Sequence, residues 1–336
     1  MHEINRSKTD AGRTRSLTGG TLKRILLLTG LVVGLAAVGS AFAGGPKADK
    51  VGAITFEPKQ GYVLGDINGQ QGWTKTGGYD VAVASVATFP AASGYGFGTQ
   101  ALRLSNAVVS GSFGDQTFSP GLATPTGEGS AAAHFSARFK IGTTQSTVQP
   151  GLFTSVSPDN GSGGRMSYLR FEDQLDGVHV FFDDVTDNGP VGTVATFNET
   201  DIATLSRAKA HSIRFAIDFK SGPGNDVVKV FIDGKKMITG TTWENYYRYD
   251  PEAAGSGNLV PTTSKLLFRE GGSAPDASPA TLGNGFLVDG VSLKSSAGHS
   301  QDNGKNKHHG KNDKNNGNNG NNNDHGQHHG HGQPGH

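Results

Sequence analysis

The chain of 336 residues contains no cysteine, and that absence removes disulfides, thiolate nucleophiles and thiolate metal sites together. A domain without disulfides must draw its stability from its core. Net charge is also nearly absent, at +1 with histidine neutral, so no global field points to DNA or RNA, and no nucleic-acid partner is expected. Gly-x-Ser-x-Gly, Walker and His-Glu-x-x-His motifs are missing, which leaves no ready-made nucleophile, phosphate cradle or zinc helix. Within residues 298–336 there is no aliphatic or aromatic side chain at all. That segment cannot bury enough apolar surface to offset chain entropy, and it reads as a disordered tail rich in His, Asn and Gly.

What is present divides into three zones. Arg13, Arg15, Lys23 and Arg24 precede an apolar run, Ile25 to Ala43, that ends in Ala41-Phe42-Ala43. This is the pattern of a secretory signal peptide over 1–43 cleaved after Ala43, with an uncleaved anchor as the alternative. Cleavage would leave no membrane span and place the protein outside the cell or in its envelope. Residues 44–297 then form one domain of a size that an all-β unit commonly reaches.

The clearest pattern in that domain lies between His211 and Asp250. Ile213, Phe215, Ile217 and Phe219 recur at every second position, as do Val228, Val230 and Ile232 after a Gly-Pro-Gly-Asn-Asp turn. Period two marks half-buried strands. Asp233-Gly234 then predicts a tight hairpin, with Lys236 to Thr239 returning as a third strand. Phe135, Ala137, Phe139 and Ile141 repeat the alternation, and shorter runs include Ile54 to Glu57, Tyr62 to Trp73, Asp80 to Val86 and Ala101 to Ser105. Further runs are Gly151 to Val156, Met166 to Phe171, Val178 to Phe182, Lys265 to Phe268 and Phe286 to Leu293. Ser110 to Pro120 reads as a loop, and Glu199 to Lys209 as a single short helix. Roughly a dozen strands exceed one comfortable open sheet, so the expected fold is all-β, a two-sheet antiparallel β-sandwich.

The segments TFEPKQGYVLGDINGQQGW, HSIRFAIDFKSGPGNDVVKVFIDGK and GFLVDGVSL resemble the concanavalin A-like lectin/glucanase jelly roll, and more closely laminin G-like domains of secreted bacterial proteins. The resemblance spans most of 50–296 and implies the jelly-roll fold, which hosts lectins, glycosidases, lyases and adhesion modules alike. Glycosidases of that fold carry two acids on one strand face. The nearest match here, Glu172-Asp173-Gln174-Leu175-Asp176, sets its first two acids on opposite faces and reads as a turn. Lyases of the fold use an Arg/Gln/His/Tyr set, for which Arg170, His179 and Tyr247 are available but out of order. His134, His179 and His211 suit ordinary positions on strands.

The best ligand candidates are Trp243, Tyr246, Tyr247 and Tyr249. Sugars present C–H faces that stack on aromatic rings while their hydroxyls take polar neighbours, here Glu244, Asn245, Arg248 and Asp250. The alternative is that these rings pack inward as strand residues. Trp73, beside a turn, reads as core. The fold resemblance also implies Ca²⁺, with Asp183, Asp184 and Asp187 in an oxygen-rich stretch, and Asp226 and Asp289 as further carboxylates. In the tail, His308, His309, His325, His328, His329 and His331 can bind Zn²⁺, Ni²⁺ or Cu²⁺ weakly, or serve only as a polar tether. The favoured function is a secreted, non-catalytic module binding an extracellular glycan or another cell-surface component. A polysaccharide-degrading glycosidase or lyase and a structural or adhesion protein stay open.

Overall fold

The computed structural model describes residues 48–105, 116–186, 189–254, 260–271 and 283–297. The leader, Asp187 and the tail with its histidines lie outside these residues. In chain order the strands are β1 (Asp49–Ile54), β2 (Gly65–Asp66), β3 (Thr74–Lys75), β4 (Val81–Ser85), β5 (Gln100–Ser105) and β6 (Thr117–Phe118). Then come β7 (His134–Thr143), β8 (Phe153–Asp159), β9 (Tyr168–Gln174), β10 (Gly177–Val185) and β11 (Phe197–Leu205). The chain continues through β12 (His211–Asp218), β13 (Val227–Ile232) and β14 (Lys235–Gly240) to two short helices, α1 (Glu244–Tyr249) and α2 (Pro251–Ala254). It closes with β15 (Lys265–Gly271) and β16 (Gly285–Ser296).

These strands form two antiparallel sheets. Sheet A has nine strands, in the order β14-β13-β12-β7-β16-β5-β4-β2 with β1 also on β16, and sheet B has seven, in the order β11-β10-β9-β8-β15-β6-β3. The two-sheet sandwich expected from the alternating patterns is therefore present. Alternation selects the inner faces: Phe135, Ala137, Phe139 and Ile141 are buried on β7 while Arg138 and Lys140 are exposed. On sheet B the inward set is Leu169, Phe171, Val180, Phe182 and Phe268. Phe139 joins the layers, its ring 6.3 Å from Phe171 and 5.9 Å from Phe268 in edge-to-face contact. Trp73 is fully buried, and its Nε1 donates to the Tyr62 hydroxyl at 3.0 Å.

The predicted three-stranded run is β12, β13 and β14, and its hairpin turn has φ of +50° at Asp233 and +82° at Gly234. Positive φ at both central residues is the type I′ geometry that matches strand twist. Four expectations fail. Ile54 to Glu57 is not a strand, since β1, Asp49–Ile54, ends at its first residue, and of Tyr62 to Trp73 only Gly65–Asp66 pairs, as β2. Glu199 to Lys209 is not helical, because Phe197–Leu205 pairs with β10 as the edge strand of sheet B. Helix-compatible residues there gain more from a ladder of backbone hydrogen bonds than from local propensity. Within Ser110 to Pro120, Thr117 and Phe118 form β6, inserted between β15 and β3.

Candidate functional site

The chain leaves β14 across the edge of the sandwich and is fastened at each step. Gly240 lies against Phe182, where an added Cβ would come within 2.6 Å of the ring. The Thr242 hydroxyl donates to Asp226 at 2.7 Å, the Trp243 amide to the Met166 carbonyl at 3.1 Å, and Trp243 Nε1 to the Asp183 carbonyl at 3.1 Å. The buried Glu244 carboxylate then accepts the amides of Asn225 and Asp226 at 3.0 and 3.1 Å and opens helix α1. The strand offered as the alternative for this run does not form. The spacing of Trp243, Tyr246 and Tyr247 is i, i+3, i+4, which brings the three rings to one flank of a helical turn.

That flank meets the outer face of sheet B. Tyr168 and Asp183 are cross-strand partners whose side chains point away from the core. Trp243 stacks on Tyr168 with centroids 5.8 Å apart and 22° between planes. Phe197, 43% exposed, stands edge-on to Trp243 at 4.8 Å and lies 5.5 Å from Tyr246. With Arg165, Arg269, Glu252 and Tyr247 these residues enclose a cleft of about 550 Å³. The cleft thus combines half-buried rings with two arginines and two carboxyl groups. Burial, reinforced by the charge of Glu199, raises the Asp183 carboxyl to about 6. Burial also raises the Tyr247 phenol, whose hydroxyl donates to the Arg165 carbonyl at 2.9 Å.

The sequence candidates therefore divide. Trp243, Tyr246 and Tyr247 line the cleft, whereas Tyr249 packs its ring by Gly189 and does not. Glu244 and Asn245 are 1% and 2% exposed, so they are framework and not ligand groups. Asp250 is likewise internal, accepting the Ala195 amide at 2.7 Å. Sequence reasoning missed Arg165, Tyr168, Phe197, Glu252 and Arg269. Tyr168 was accessible in principle, because Tyr168, Arg170 and Glu172 alternate with the buried Leu169 and Phe171.

The lyase-type trio does not converge as a free set. Arg170 is held by Glu172 and Glu199 with its guanidinium 4.2 Å over Phe181. His179 sits between Asp201 at 2.6 Å and Asp176 at 2.9 Å, and Tyr247 is committed to Arg165. Glu172 and Asp173 lie on β9 itself, ahead of a turn at Leu175-Asp176, and face opposite sides as expected. The buried Asp173 binds Arg207 and Gln149. Of the carboxylates considered for Ca²⁺, Asp183 faces the cleft, while Asp184, its neighbour on β10, turns the other way to accept from Thr241. Two adjacent strand residues point to opposite faces, and the third carboxylate of the stretch, Asp187, lies outside the described residues. Among the described residues no group of three or more His, Asp or Glu side chains is placed to hold a metal. Nor is any helix among them long and apolar enough to cross a membrane.

No family model matches the chain, and no curated protein sequence matches it. Solved structures do show likeness of fold. An endo-β-1,4-glucuronan lyase from the fungus Trichoderma reesei is 14% identical over 69% of this chain and 94% of its own, with a TM-score of 0.40. The CBM2 module of the evolved Dit of Lactobacillus casei BL23 phage J-1 is 13% identical over 74% and 96%, at 0.38. Lectin UEA-II, complexed with galactose, is 12% identical over 75% and 99%, at 0.37. At these TM-scores the likeness adds nothing to what strand order and pairing already establish, a two-sheet antiparallel β-sandwich.

Proposed function

We propose that this chain is a carbohydrate-binding β-sandwich module and that the sugar lies in the cleft between α1 and the outer face of sheet B. The observation that carries the reading is the set of four rings from three separate segments, Tyr168, Phe197, and Trp243 with Tyr246, gathered at one concavity beside Arg165, Arg269, Asp183 and Glu252. A few directional polar groups among apolar surfaces are what a pocket needs to orient a polyhydroxylated ring. A non-catalytic role is supported by the condition of the nearby acids: Glu199 and Glu172 are both engaged by Arg170. The leader's sequence pattern makes the natural ligand an extracellular or envelope glycan.

A second reading draws on Asp183, a cleft carboxyl poised near 6 as a general acid would be. A glycan array probed with the full chain, with soluble products assayed in the same wells, separates the two. Binding that falls about tenfold in Tyr246→Ala and Trp243→Ala, with folding verified by melting and no product released, supports the module. Product released by the wild type and not by Asp183→Asn assigns an enzyme. Binding unchanged in both aromatic variants refutes the cleft as the site.

A further inference from the structure

The outer face of sheet A, on the opposite side of the sandwich from the cleft, concentrates cations in register. Lys50 on β1 is the direct cross-strand partner of Lys294 on β16, and Arg138 on β7 is the direct partner of Arg214 on β12. Ser292 flanks Arg138, and Ser136 flanks Lys294, on the shared β7–β16 ladder. Like charges placed directly opposite in an antiparallel pair are destabilising, and here two such pairs stand side by side. None of the four cations has an ion pair among the described residues. The one carboxylate lining the shallow groove between them, Asp218, is taken by His134 at 2.6 Å and Lys229 at 3.2 Å. Arg214 is further held with its guanidinium 3.4 Å over the Phe231 ring.

The groove encloses about 530 Å³ and its floor is small and hydroxylated, with Ser136, Ala216, Ser292 and Ser296. Neighbouring strands lie about 4.8 Å apart, so the row Lys50, Lys294, Ser136, Ala216, Lys229 extends about 19 Å across the sheet. We propose that this face is a second binding surface, separate from the aromatic cleft, and that its occupant is a linear anionic polysaccharide laid across β1, β16, β7 and β12. Its acidic groups meet Lys50, Lys294, Arg138 and Arg214 while its hydroxyls meet the serines. The ligand supplies the countercharge that the protein withholds. A lipid surface is disfavoured because Val63, Leu64, Leu175, Val191, Val194 and Phe197, the large apolar side chains most exposed among the described residues, all lie elsewhere. Single-stranded nucleic acid is disfavoured because Phe231, the ring beside the groove, is already covered by Arg214.

The test is equilibrium binding of the full chain to dextran sulfate and polygalacturonate, with neutral dextran as the matched control. The expected result is binding to an anionic chain and not to dextran, weakening as salt is raised. The paired variants Arg138→Gln with Arg214→Gln, and Lys50→Gln with Lys294→Gln, should each lose about tenfold or more in affinity. The lysine pair should melt at or above the wild type, because it removes a like-charge pair, and the arginine pair, which also gives up the stack of Arg214 on Phe231, should melt close to it. The same losses should appear when the paired variants are made in the Trp243→Ala background, which separates this surface from the cleft. Equal binding by the paired variants in that background, or neutral dextran bound by Trp243→Ala as tightly as the anionic chains, overturns the proposal. Duplex DNA or anionic lipid vesicles bound more tightly than either polysaccharide, and released by the same variants, would overturn the choice of occupant.

Discussion

Asp226→Asn should stabilise the protein at neutral and alkaline pH. Asp226 is 2% exposed, with Oδ1 accepting the Lys220 amide at 2.7 Å and Oδ2 the Thr242 hydroxyl at 2.7 Å. Burial, followed by repulsion from Glu244 and Glu128, raises its carboxyl from 3.8 to about 6 in spite of those hydrogen bonds. A carboxyl raised on folding contributes stability that is complete below its unfolded value and is lost as pH climbs through the folded one. The interval of about two pH units, at 1.36 kcal/mol each, sets a ceiling of about 3 kcal/mol on the loss between pH 4 and neutrality. Asparagine keeps the Oδ1 acceptor, removes the charge and can donate to Thr242, at a cost of about 1 kcal/mol for the weaker hydrogen bonds. The net expectation is a gain of about 1 to 2 kcal/mol near pH 8 and little or none near pH 4. In a domain of this size that raises the melting temperature by about 2 to 4 °C per kcal/mol. Urea titrations of wild type and variant at both pH values measure it directly. A variant no more stable than the wild type near pH 8, or one retaining the wild-type slope of stability against pH, would refute the reasoning.

Tyr62→Phe should cost about 1 to 3 kcal/mol in thermal or urea unfolding, because it leaves the fully buried Trp73 Nε1 without its acceptor. Gly98→Ala should be destabilising: an added Cβ would sit 1.8 Å from Glu57 Oε1, displacing the carboxylate that accepts the Thr99 amide and hydroxyl and the Gln100 amide. The expected loss is about 1.5 to 3 kcal/mol for each charge-assisted bond that is not remade, and calorimetry would show it as a clear drop in melting temperature. His179 is raised above 6.5 by the hydrogen bonds that it donates to Asp201 and then Asp176, so its contribution is present in acid and fades as pH rises through the folded value. His179→Gln should accordingly lower the melting temperature near pH 6 more than near pH 9, and a uniform effect across that range would count against the pairing.

Strand identity was readable wherever a core-facing side chain recurs at every second residue, as in Phe135 to Ile141 and Ile213 to Phe219, because burial on one face writes itself into composition. The turn at Asp233-Gly234 was readable for a related reason, since few residues accept positive φ. β6 was not: two residues, Thr117 and Phe118, carry no period, and only their partners on β15 and β3 define them as a strand. Helix α1 was hidden by its composition, with three tyrosines in six residues and little intrinsic helix preference, and it forms because Glu244 anchors its first turn to Asn225 and Asp226. At the site, the aromatic run was conspicuous by proximity in sequence, whereas Arg165, Phe197 and Arg269 reach the cleft from separate elements that only sheet B aligns. The paired cations of sheet A escaped notice for the same reason, because cross-strand register is invisible in one dimension.

The position of β16 bears on when the molecule can assemble. It pairs with β7 through most of its length, with β5 over its first residues and with β1 beyond the bulge at Asp289 and Gly290. Without it, β5-β4-β2 and β7-β12-β13-β14 are two unconnected ribbons, and β1 has no neighbour. During synthesis β7 emerges roughly 140 residues before the strand that completes it. The larger sheet is thus a keystone arch whose last stone arrives late in synthesis, and until β16 is seated the facing edges of its two ribbons stay unpaired.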